Sequence, residues 1–181
     1  MGNPRYGLVG YVKSPVGEFV ENLRRELHPE LPHLAAHLTI LPPRWLVGSE
    51  ASAVQTLERI CSRVEPFEVT MGEVATFIPE TPTVFIRVDS AAATMRDLHQ
   101  RLNIEALACH EEWPYTPHLT IVKMGDATAA QSALKIATER WARYTGTRRI
   151  LLENLTFVRE EAPHCWLDLA PVPLGGHLVS R

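Results

Sequence analysis

His37-Leu38-Thr39-Ile40 returns 81 residues later as His118-Leu119-Thr120-Ile121. In a β-strand, successive side chains point to opposite faces of the sheet. Each copy therefore predicts a strand with an imidazole and a hydroxyl on one face and two branched apolar side chains on the other. The apolar pair suits a hydrophobic core, so the polar pair would face outward. Two such strands beside one cleft would offer two imidazoles and two hydroxyls to one ligand.

The residues around the two motifs indicate an α+β fold. Apolar alternation and short apolar runs predict strands at 6–12, 36–41, 67–71, 84–88, 118–122, 150–158 and 165–169. Helical spacing of apolar residues predicts helices at 15–27, 50–63, 91–107 and 127–144. Ser14 and Asp126 are predicted caps, and Arg24 falls on the outward, charged side of the first helix.

The order of these elements indicates a duplication. Each half is predicted as strand, helix, motif strand, helix, strand, strand, if the strand at 84–88 also opens the second half. We expect one two-lobed domain over residues 1–181, duplicated about a pseudo-twofold axis. Antiparallel or mixed sheets would line a central cleft, with the helices on the outer faces.

Composition excludes several classes of protein. The chain has 181 residues, 45% of them hydrophobic and 22% charged, which is typical of a soluble globular domain. No apolar run approaches the roughly 18 residues of a spanning helix, so no membrane partner is expected. A net charge of −3 does not indicate a basic surface for binding DNA or long RNA. Three separated cysteines without a Cys-x-x-Cys pair predict a cytoplasmic protein with buried or inert thiols.

The two motif histidines are the first candidates for catalysis. Either one alone is typical of a structural histidine, but two in equivalent places of a duplication favour a functional role. Imidazole has an ordinary pKa of about 6.5, so His37 and His118 would act as base and acid with an optimum near neutrality. The hydroxyls of Thr39 and Thr120 would donate to phosphate oxygens, where charge grows in the transition state. No nucleophile elbow supports a Ser-His-Asp arrangement.

A metal site is the alternative interpretation of the same histidines. Zinc takes three or four protein ligands. The imidazoles and carboxylates near the motifs are His33, His37, His110, Glu111, Glu112 and His118. However, Pro32 disfavours a helix through His33 and His37, and the chain has no His-Glu-x-x-His motif. We therefore expect no metal and no cofactor, with a metal-dependent hydrolase kept as an alternative.

The paired His-x-Thr-x motifs resemble the 2H phosphoesterase superfamily, which includes 2′-5′ RNA ligase-like proteins and RNA 2′,3′-cyclic phosphodiesterases. The segment Pro117-His118-Leu119-Thr120-Ile121 is similar to the second motif of the family, with Lys123 where many members carry arginine. Residues 71–79, followed by a strand and a helix, are similar to its central segment. The first motif continues as Pro42-Pro43-Arg44, where the ligase-like proteins have an aromatic residue and glycine.

The resemblance implies a metal-independent reaction in a cleft that carries both motifs. By the same resemblance, His37 and His118 are the acid–base pair, and Thr39 and Thr120 bind the phosphate. Water would attack the cyclic phosphodiester of an RNA end or a small nucleotide, and 2′-5′ ligation would be the reverse reaction. This chemistry would belong to RNA processing. A protein that binds the same ligands without turnover is a further alternative.

Other side chains are weaker candidates. Lys123 and Arg44 would screen the phosphate, and Phe77 and Tyr115 would stack a base, although surface charge and core packing are the ordinary roles of such residues. We expect a monomer. The remaining aromatic and imidazole side chains are predicted to pack or to be exposed: Trp45, Trp113, Trp141, Trp166, His28, His99, His164 and His177.

Overall fold

Eight strands, four α-helices and one 3-10 turn make up residues 2–176, the part of the chain that the computed structural model describes. The strands are β1 (Tyr6–Tyr11), β2 (His37–Arg44), β3 (Phe67–Thr76), β4 (Thr83–Val88), β5 (His118–Lys123), β6 (Arg149–Leu152), β7 (Asn154–Ala162) and β8 (Cys165–Pro173). The helices are α1 (Pro15–Leu27), α2 (Glu50–Cys61), α3 (Ala92–Leu102) and α4 (Ala127–Ala142), and the 3-10 turn is Glu105–Leu107.

The predicted α+β class is confirmed. The strands form one sheet in the order β6-β3-β4-β5-β2-β1-β7-β8, and every pairing in the described part of the chain is antiparallel. The single strand predicted at 150–158 is wrong, because Glu153 separates β6 from β7. β6 pairs with β3 and β7 pairs with β1, at opposite ends of the sheet. Because only one residue joins them, the sheet curls until its two ends approach each other.

The sheet has an internal pseudo-twofold axis at its centre. β2 and β5 are neighbours, and Leu38 of the first motif lies opposite Leu119, its counterpart in the second. On either side, β1 pairs with β2 as β4 pairs with β5. The repeated units β1-α1-β2 and β4-α3-β5 therefore meet through their motif strands, as expected from the duplication.

Local signals explain where the helices begin and end. α1 begins at Pro15 as predicted, because proline is preorganised for the first helical position, but the Ser14 side chain makes no cap hydrogen bond. α4 is capped by Asp126, whose carboxylate accepts from the Ala129 amide at 2.8 Å. α3 is shorter than the predicted 91–107, because the Asn103 side chain binds the Cys109 backbone and turns the chain.

The apolar face of the motif strands lies in the core. Leu38, Ile40, Leu119 and Ile121 have no exposed surface and pack with buried side chains from all four helices. Burial of each such side chain contributes about 1.5–3 kcal/mol relative to its exposure. Packing therefore holds the polar face of both motifs away from the helices.

Two sequence expectations concern the rest of the chain. All three cysteines are free: Cys61 is buried, Cys109 is half-buried and Cys165 is exposed, so the expectation of buried or inert thiols stays a prediction for the exposed thiol. His177 lies outside the described residues. Across residues 2–176 there is no helix with the length and apolar character needed to cross a membrane. The cytoplasmic location stays a prediction.

Candidate active site

The four polar residues of the motifs lie on two neighbouring strands. An antiparallel register centred on Leu38 and Leu119 puts His37 beside Thr120 and Thr39 beside His118. Adjacent strands are about 4.8 Å apart. All four polar side chains are half-buried, on the face opposite the fully buried leucines and isoleucines. The structure therefore brings both predicted His–Thr pairs together on one surface.

Each motif histidine is oriented by a backbone carbonyl two residues earlier. The Nδ1 atom of His37 lies 2.8 Å from the Ala35 carbonyl oxygen, and that of His118 lies 2.6 Å from the Thr116 carbonyl oxygen. A carbonyl only accepts, so Nδ1 carries the proton and donates in both rings. The Nε2 atom of each imidazole is left to exchange a proton with a ligand.

The surroundings of both imidazoles lower their pKa. Burial is the largest cause for each ring, because it disfavours the charged form. The nearby charge of Arg24 also lowers the pKa of His37, and the charge of His37 lowers the pKa of His118, while the backbone hydrogen bonds act in the opposite direction. Both rings therefore favour the neutral state in the free protein, and they are close enough to affect each other.

The two threonine hydroxyls are available to a ligand. Within residues 2–176, the Oγ1 atoms of Thr39 and Thr120 have no hydrogen-bond partner, and neither atom is fully buried. Threonine hydroxyls often donate to a nearby backbone carbonyl, and such a hydroxyl would not be available to a ligand. Two such hydroxyls beside two Nε2 atoms have the chemistry needed to bind a tetrahedral oxyanion.

Different residues flank this centre on its two sides. On the β1 side, Tyr11 pairs with His37 and Val9 pairs with Thr39. On the β4 side, Arg87 pairs with His118 and Phe85 pairs with Thr120. Two rows thus cross the four central strands: Tyr11, His37, Thr120, Phe85 and Val9, Thr39, His118, Arg87.

A cavity of about 190 Å³ opens on the β1 side of the centre. It contains His37 and Thr39, and its aromatic walls are Tyr11 and Trp166. The Tyr11 hydroxyl donates to Asp168 at 2.5 Å, which holds the ring in place. Trp166, predicted to be a packing residue, therefore lines the candidate site.

A larger groove of about 490 Å³ lies elsewhere, between α2 and the 3-10 turn. It contains no motif residue, and its Arg59 is paired with Glu105. The smaller cavity is the better candidate because it adjoins the two imidazoles and the free hydroxyls.

Each motif strand is held from its core side by a residue of the other repeat. Arg24 is buried, which contradicts its predicted outward position, and donates to the carbonyls of Ile121 at 2.6 Å, Thr120 at 2.9 Å and Leu34. From α3, His99 Nδ1 lies 2.8 Å from the Ile40 carbonyl oxygen. These contacts satisfy buried polar groups and position the backbone of both motifs.

Contrary to the expectation from the sequence, the Arg44 and Tyr115 side chains do not reach the candidate site. Arg44 is 2% exposed on the core side of β2, where it pairs with Glu111 and donates to Asn103 at 2.8 Å and to the Leu107 carbonyl at 3.0 Å. The Tyr115 ring stacks on His99 at 4.1 Å, and its hydroxyl donates to the Thr39 carbonyl at 2.8 Å. Both side chains support the first motif strand, so the expected substrate contacts do not fit their positions.

Phe77 and Lys123 lie nearer the centre. The Phe77 ring lies tilted against the Phe85 ring, with the ring centres 4.0 Å apart, and meets the His118 ring edge-on at 5.0 Å, so it packs against the imidazole. Lys123 is exposed and lies opposite Thr83 at the far end of β5 from His118. Substrate contacts for these two residues stay predictions.

The side chains of the metal alternative are separated. Glu111 is engaged by Arg44 and lies 3.2 Å from His99 Nε2, while His33 lies 3.5 Å from Glu21. Across residues 2–176, no group of three or more histidine, cysteine, aspartate or glutamate residues is arranged to hold a metal ion.

Sequence reasoning missed Tyr11, Trp166 and Arg87. Alternation along β4 carried a signal for Arg87, since a charged residue faces away from the apolar side set by Val84, Ile86 and Val88. Tyr11 and Trp166 carried none, because their position beside His37 depends on which strands pair.

The sequence matches a family model. Residues 12–163 match the model described as the 2′-5′ RNA ligase superfamily. A protein of Oceanobacillus iheyensis, named as a candidate phosphoesterase, is 26% identical over 121 residues, which cover 66% of this chain and 70% of the relative. A protein of Halalkalibacterium halodurans with the same description is 26% identical over 117 residues, which cover 64% of this chain and 68% of the relative.

The fold matches those of solved proteins. The crystal structure of E. coli LigT complexed with 3′-AMP has a TM-score of 0.66 at 15% identity, covering 96% of this chain and 100% of that one. LigT complexed with NADP+ has a TM-score of 0.64 at 15% identity, covering 97% and 100%. Usb1 of Kluyveromyces marxianus has a TM-score of 0.56 at 8% identity, covering 95% and 98%. These structures share the fold, and with the match over residues 12–163 the chain belongs to the 2′-5′ RNA ligase superfamily of 2H phosphoesterases.

Proposed function

We propose that this protein hydrolyses a cyclic phosphodiester, the 2′,3′-cyclic phosphate of an RNA end or a small nucleotide, by two-histidine acid–base catalysis without a metal. The observation that carries the proposal is the pairing of the two motifs on one face, with each Nδ1 bound to a carbonyl and each Nε2 free. Phosphate chemistry needs a base, an acid and oxyanion donors, and the four motif side chains supply all of them.

In the proposed reaction, the neutral Nε2 of one histidine removes a proton from water as the water oxygen attacks phosphorus. The bond from phosphorus to one ribose oxygen breaks on the opposite side. The protonated Nε2 of the other histidine donates to that oxygen, which would otherwise leave as an alkoxide. Thr39 and Thr120 donate to the non-bridging oxygens, where such donors are most effective because charge increases there. When the 5′-hydroxyl of a second RNA end attacks phosphorus in place of water, the same proton transfers give a 2′-5′ phosphodiester and a free 3′-hydroxyl, which is 2′-5′ ligation.

The relatives support this class of reaction. The curated relatives are named as candidate phosphoesterases, and LigT has been crystallised with 3′-AMP, NADP+, ATP and phosphate. A small nucleotide or an RNA end is therefore the proposed substrate, with a 2′-phosphate product by similarity to the cyclic phosphodiesterases. A role in RNA processing in the cytoplasm follows as part of the same proposal.

The decisive test is turnover of adenosine 2′,3′-cyclic phosphate in excess EDTA. The wild-type protein should be active, and His37→Ala and His118→Ala should each lose at least about 10²-fold in kcat/KM. His110→Ala is the matched control, because that imidazole is exposed and belongs only to the metal alternative. Loss of activity in EDTA with recovery in zinc would instead support a metal-dependent hydrolase.

Binding without turnover would support the second alternative, a nucleotide- or RNA-end-binding protein. Calorimetry with adenosine 2′-phosphate separates this case from a misfolded sample. A wild-type protein that binds the nucleotide but hydrolyses no cyclic phosphate would contradict the proposed enzyme.

A further inference from the structure

The residues that flank the pseudo-symmetric centre break its symmetry. Tyr11 and Arg87 are the cross-strand neighbours of the two motif histidines, on β1 and β4 respectively. The repeat thus presents a neutral phenol beside His37 and a guanidinium beside His118. A symmetric centre would bind a phosphodiester in either direction, so only groups that differ between the two sides can orient an asymmetric substrate.

Arg87 is a positioned cation with no partner in the described part of the chain. Its side chain is exposed, and within residues 2–176 it makes no hydrogen bond or ion pair. Its guanidinium carbon lies 5.7 Å from the centre of the Phe85 ring, which favours one orientation by a cation–π contact. The Phe85 ring is in turn 5.0 Å from the His118 ring. The guanidinium therefore lies at the edge of the proposed phosphate site.

The other arginines near the site differ from Arg87. Arg24 and Arg44 are buried, and their donors are used by carbonyls and by Glu111. In a protein with a net charge of −3, a free guanidinium one strand from a catalytic imidazole favours a specific anion rather than general attraction of polyanions. Its planar donors match two oxygens of a phosphate.

The opposite wall is suited to a base. Tyr11 has its hydroxyl engaged by Asp168, and Trp166 adds a second ring to the cavity beside His37. A planar base gains most from such a surface. The two walls thus differ in the chemistry that they would bind, one aromatic and one cationic.

We infer that Arg87 binds a second phosphate of the substrate, attached through the 5′ oxygen of the nucleotide whose cyclic phosphate reacts. The base then lies toward Tyr11 and Trp166, and the 5′-phosphate lies beside His118. This inference rests on the proposed function and names its substrate class, a nucleotide with a 5′-phosphate. A 5′-phosphomonoester and the phosphodiester of an RNA end share this chemistry.

Calorimetry with two products tests the inference without turnover. Wild-type protein should bind adenosine 2′,5′-bisphosphate about 10- to 100-fold more tightly than adenosine 2′-phosphate, because a charge-assisted contact is gained. Arg87→Gln should bind both with the affinity that the wild type shows for the monophosphate. Arg149→Gln, an exposed arginine on β6, is the matched control and should behave as the wild type.

Kinetics separates the two sources of the 5′-phosphate. One substrate is a dinucleotide ending in a 2′,3′-cyclic phosphate, and the other is adenosine 2′,3′-cyclic phosphate that also carries a 5′-phosphate. Arg87→Gln should raise KM for one or both of them. It should leave KM for adenosine 2′,3′-cyclic phosphate without a 5′-phosphate unchanged. An equal loss on all three substrates would place Arg87 on the reacting phosphate and overturn the inference, as would no loss on any. If no substrate turns over but the calorimetric difference disappears in Arg87→Gln, the anion site stands and the proposed hydrolase does not.

Discussion

In each motif histidine, the Nδ1 atom donates to the backbone carbonyl of the residue two positions earlier in the chain. This contact keeps the imidazole of His37 or His118 in one tautomer and directs Nε2 toward the proposed phosphate. The neighbouring threonines complete the centre with hydroxyls that have no protein partner in the described part of the chain. At this scale, the proposed catalysis depends on four atoms that the fold itself does not use.

Removal of either threonine hydroxyl should affect the reaction more than the fold. Thr39→Val and Thr120→Val keep the shape of the side chain and should each lower kcat by about 10²–10³-fold, the usual effect of one lost oxyanion donor. Melting temperatures should stay near that of the wild type. The matched control is Thr128→Val, which changes an exposed helical residue. A large fall in melting temperature with unchanged activity per folded molecule would show that the hydroxyl is structural.

The lowered pKa of both histidines predicts an acid-shifted rate profile. In a plot of kcat/KM against pH, the acidic limb reports the pKa of the catalytic base in the free enzyme. The basic limb reports the pKa of the catalytic acid in the free enzyme. Because burial lowers the pKa of both His37 and His118, both limbs should lie below the ordinary value of about 6.5. The optimum should therefore lie on the acidic side of the near-neutral value expected from the sequence. The two limbs belong to the coupled pair.

The measurement is kcat/KM for adenosine 2′,3′-cyclic phosphate at a series of pH values and constant ionic strength. His37→Ala and His118→Ala should each remove the bell shape. The double variant should be scarcely slower than either single variant, since the two residues act as a unit. A full bell in either single variant would contradict the mechanism.

At the scale of elements, each repeat supports the motif strand of the other. Arg24 of α1 binds the carbonyls of β5, and His99 of α3 binds a carbonyl of β2. Arg44, Glu111 and Tyr115 extend the support beneath β2. The polar face of the centre therefore depends on a polar network on the core side of the same strands.

Arg44→Met should destabilise the protein without a matching effect on substrate binding. It leaves the Glu111 carboxylate without its main partner beneath β2, and loss of one member of a buried pair costs about 3–5 kcal/mol. The control is Arg59→Met, which breaks an exposed pair with Glu105 and should change the stability far less, because solvent screens the two charges. Urea unfolding and KM are the measurements. A raised KM at unchanged stability would restore Arg44 as a substrate contact.

For the whole molecule, the proposed site should couple anion binding to stability. Inorganic phosphate should raise the melting temperature of the wild type relative to chloride at equal ionic strength. A ligand at 100 times its dissociation constant stabilises the folded state by about 2.7 kcal/mol. The variant with both Thr39→Val and Thr120→Val should lose most of this effect. An equal effect of phosphate on that variant would place the anion elsewhere.

The net charge of −3 predicts a preference for short substrates. Affinity for a cyclic-phosphate-ended dinucleotide and for a 20-nucleotide RNA with the same end should be similar, with a shallow dependence on salt. A protein that binds many phosphates shows a steep salt dependence because each contact releases counterions. A steep rise of affinity with RNA length would contradict this prediction.

Short-range patterns in the sequence determined the elements and the reactive groups. Alternation within each His-Leu-Thr-Ile motif separates core from solvent in a strand of either repeat, and Pro15 and Asp126 mark helix starts through local geometry. The motif spacing indicated the duplication, because the same unit occurs twice in one chain. Apart from the duplication, which compares two motifs 81 residues apart, these conclusions need only neighbours a few residues apart.

Only the tertiary structure decided which side chains surround the centre. Arg44 and Arg87 are both strand arginines, yet Arg44 is buried in an ion pair, while Arg87 lies beside His118 with no ion-pair partner among residues 2–176. Tyr11 and Trp166 meet at one cavity although 155 residues separate them. The physical reason is that strand order and register set cross-strand neighbours, and a sequence pattern defines the face of a residue but not its neighbour on the next strand.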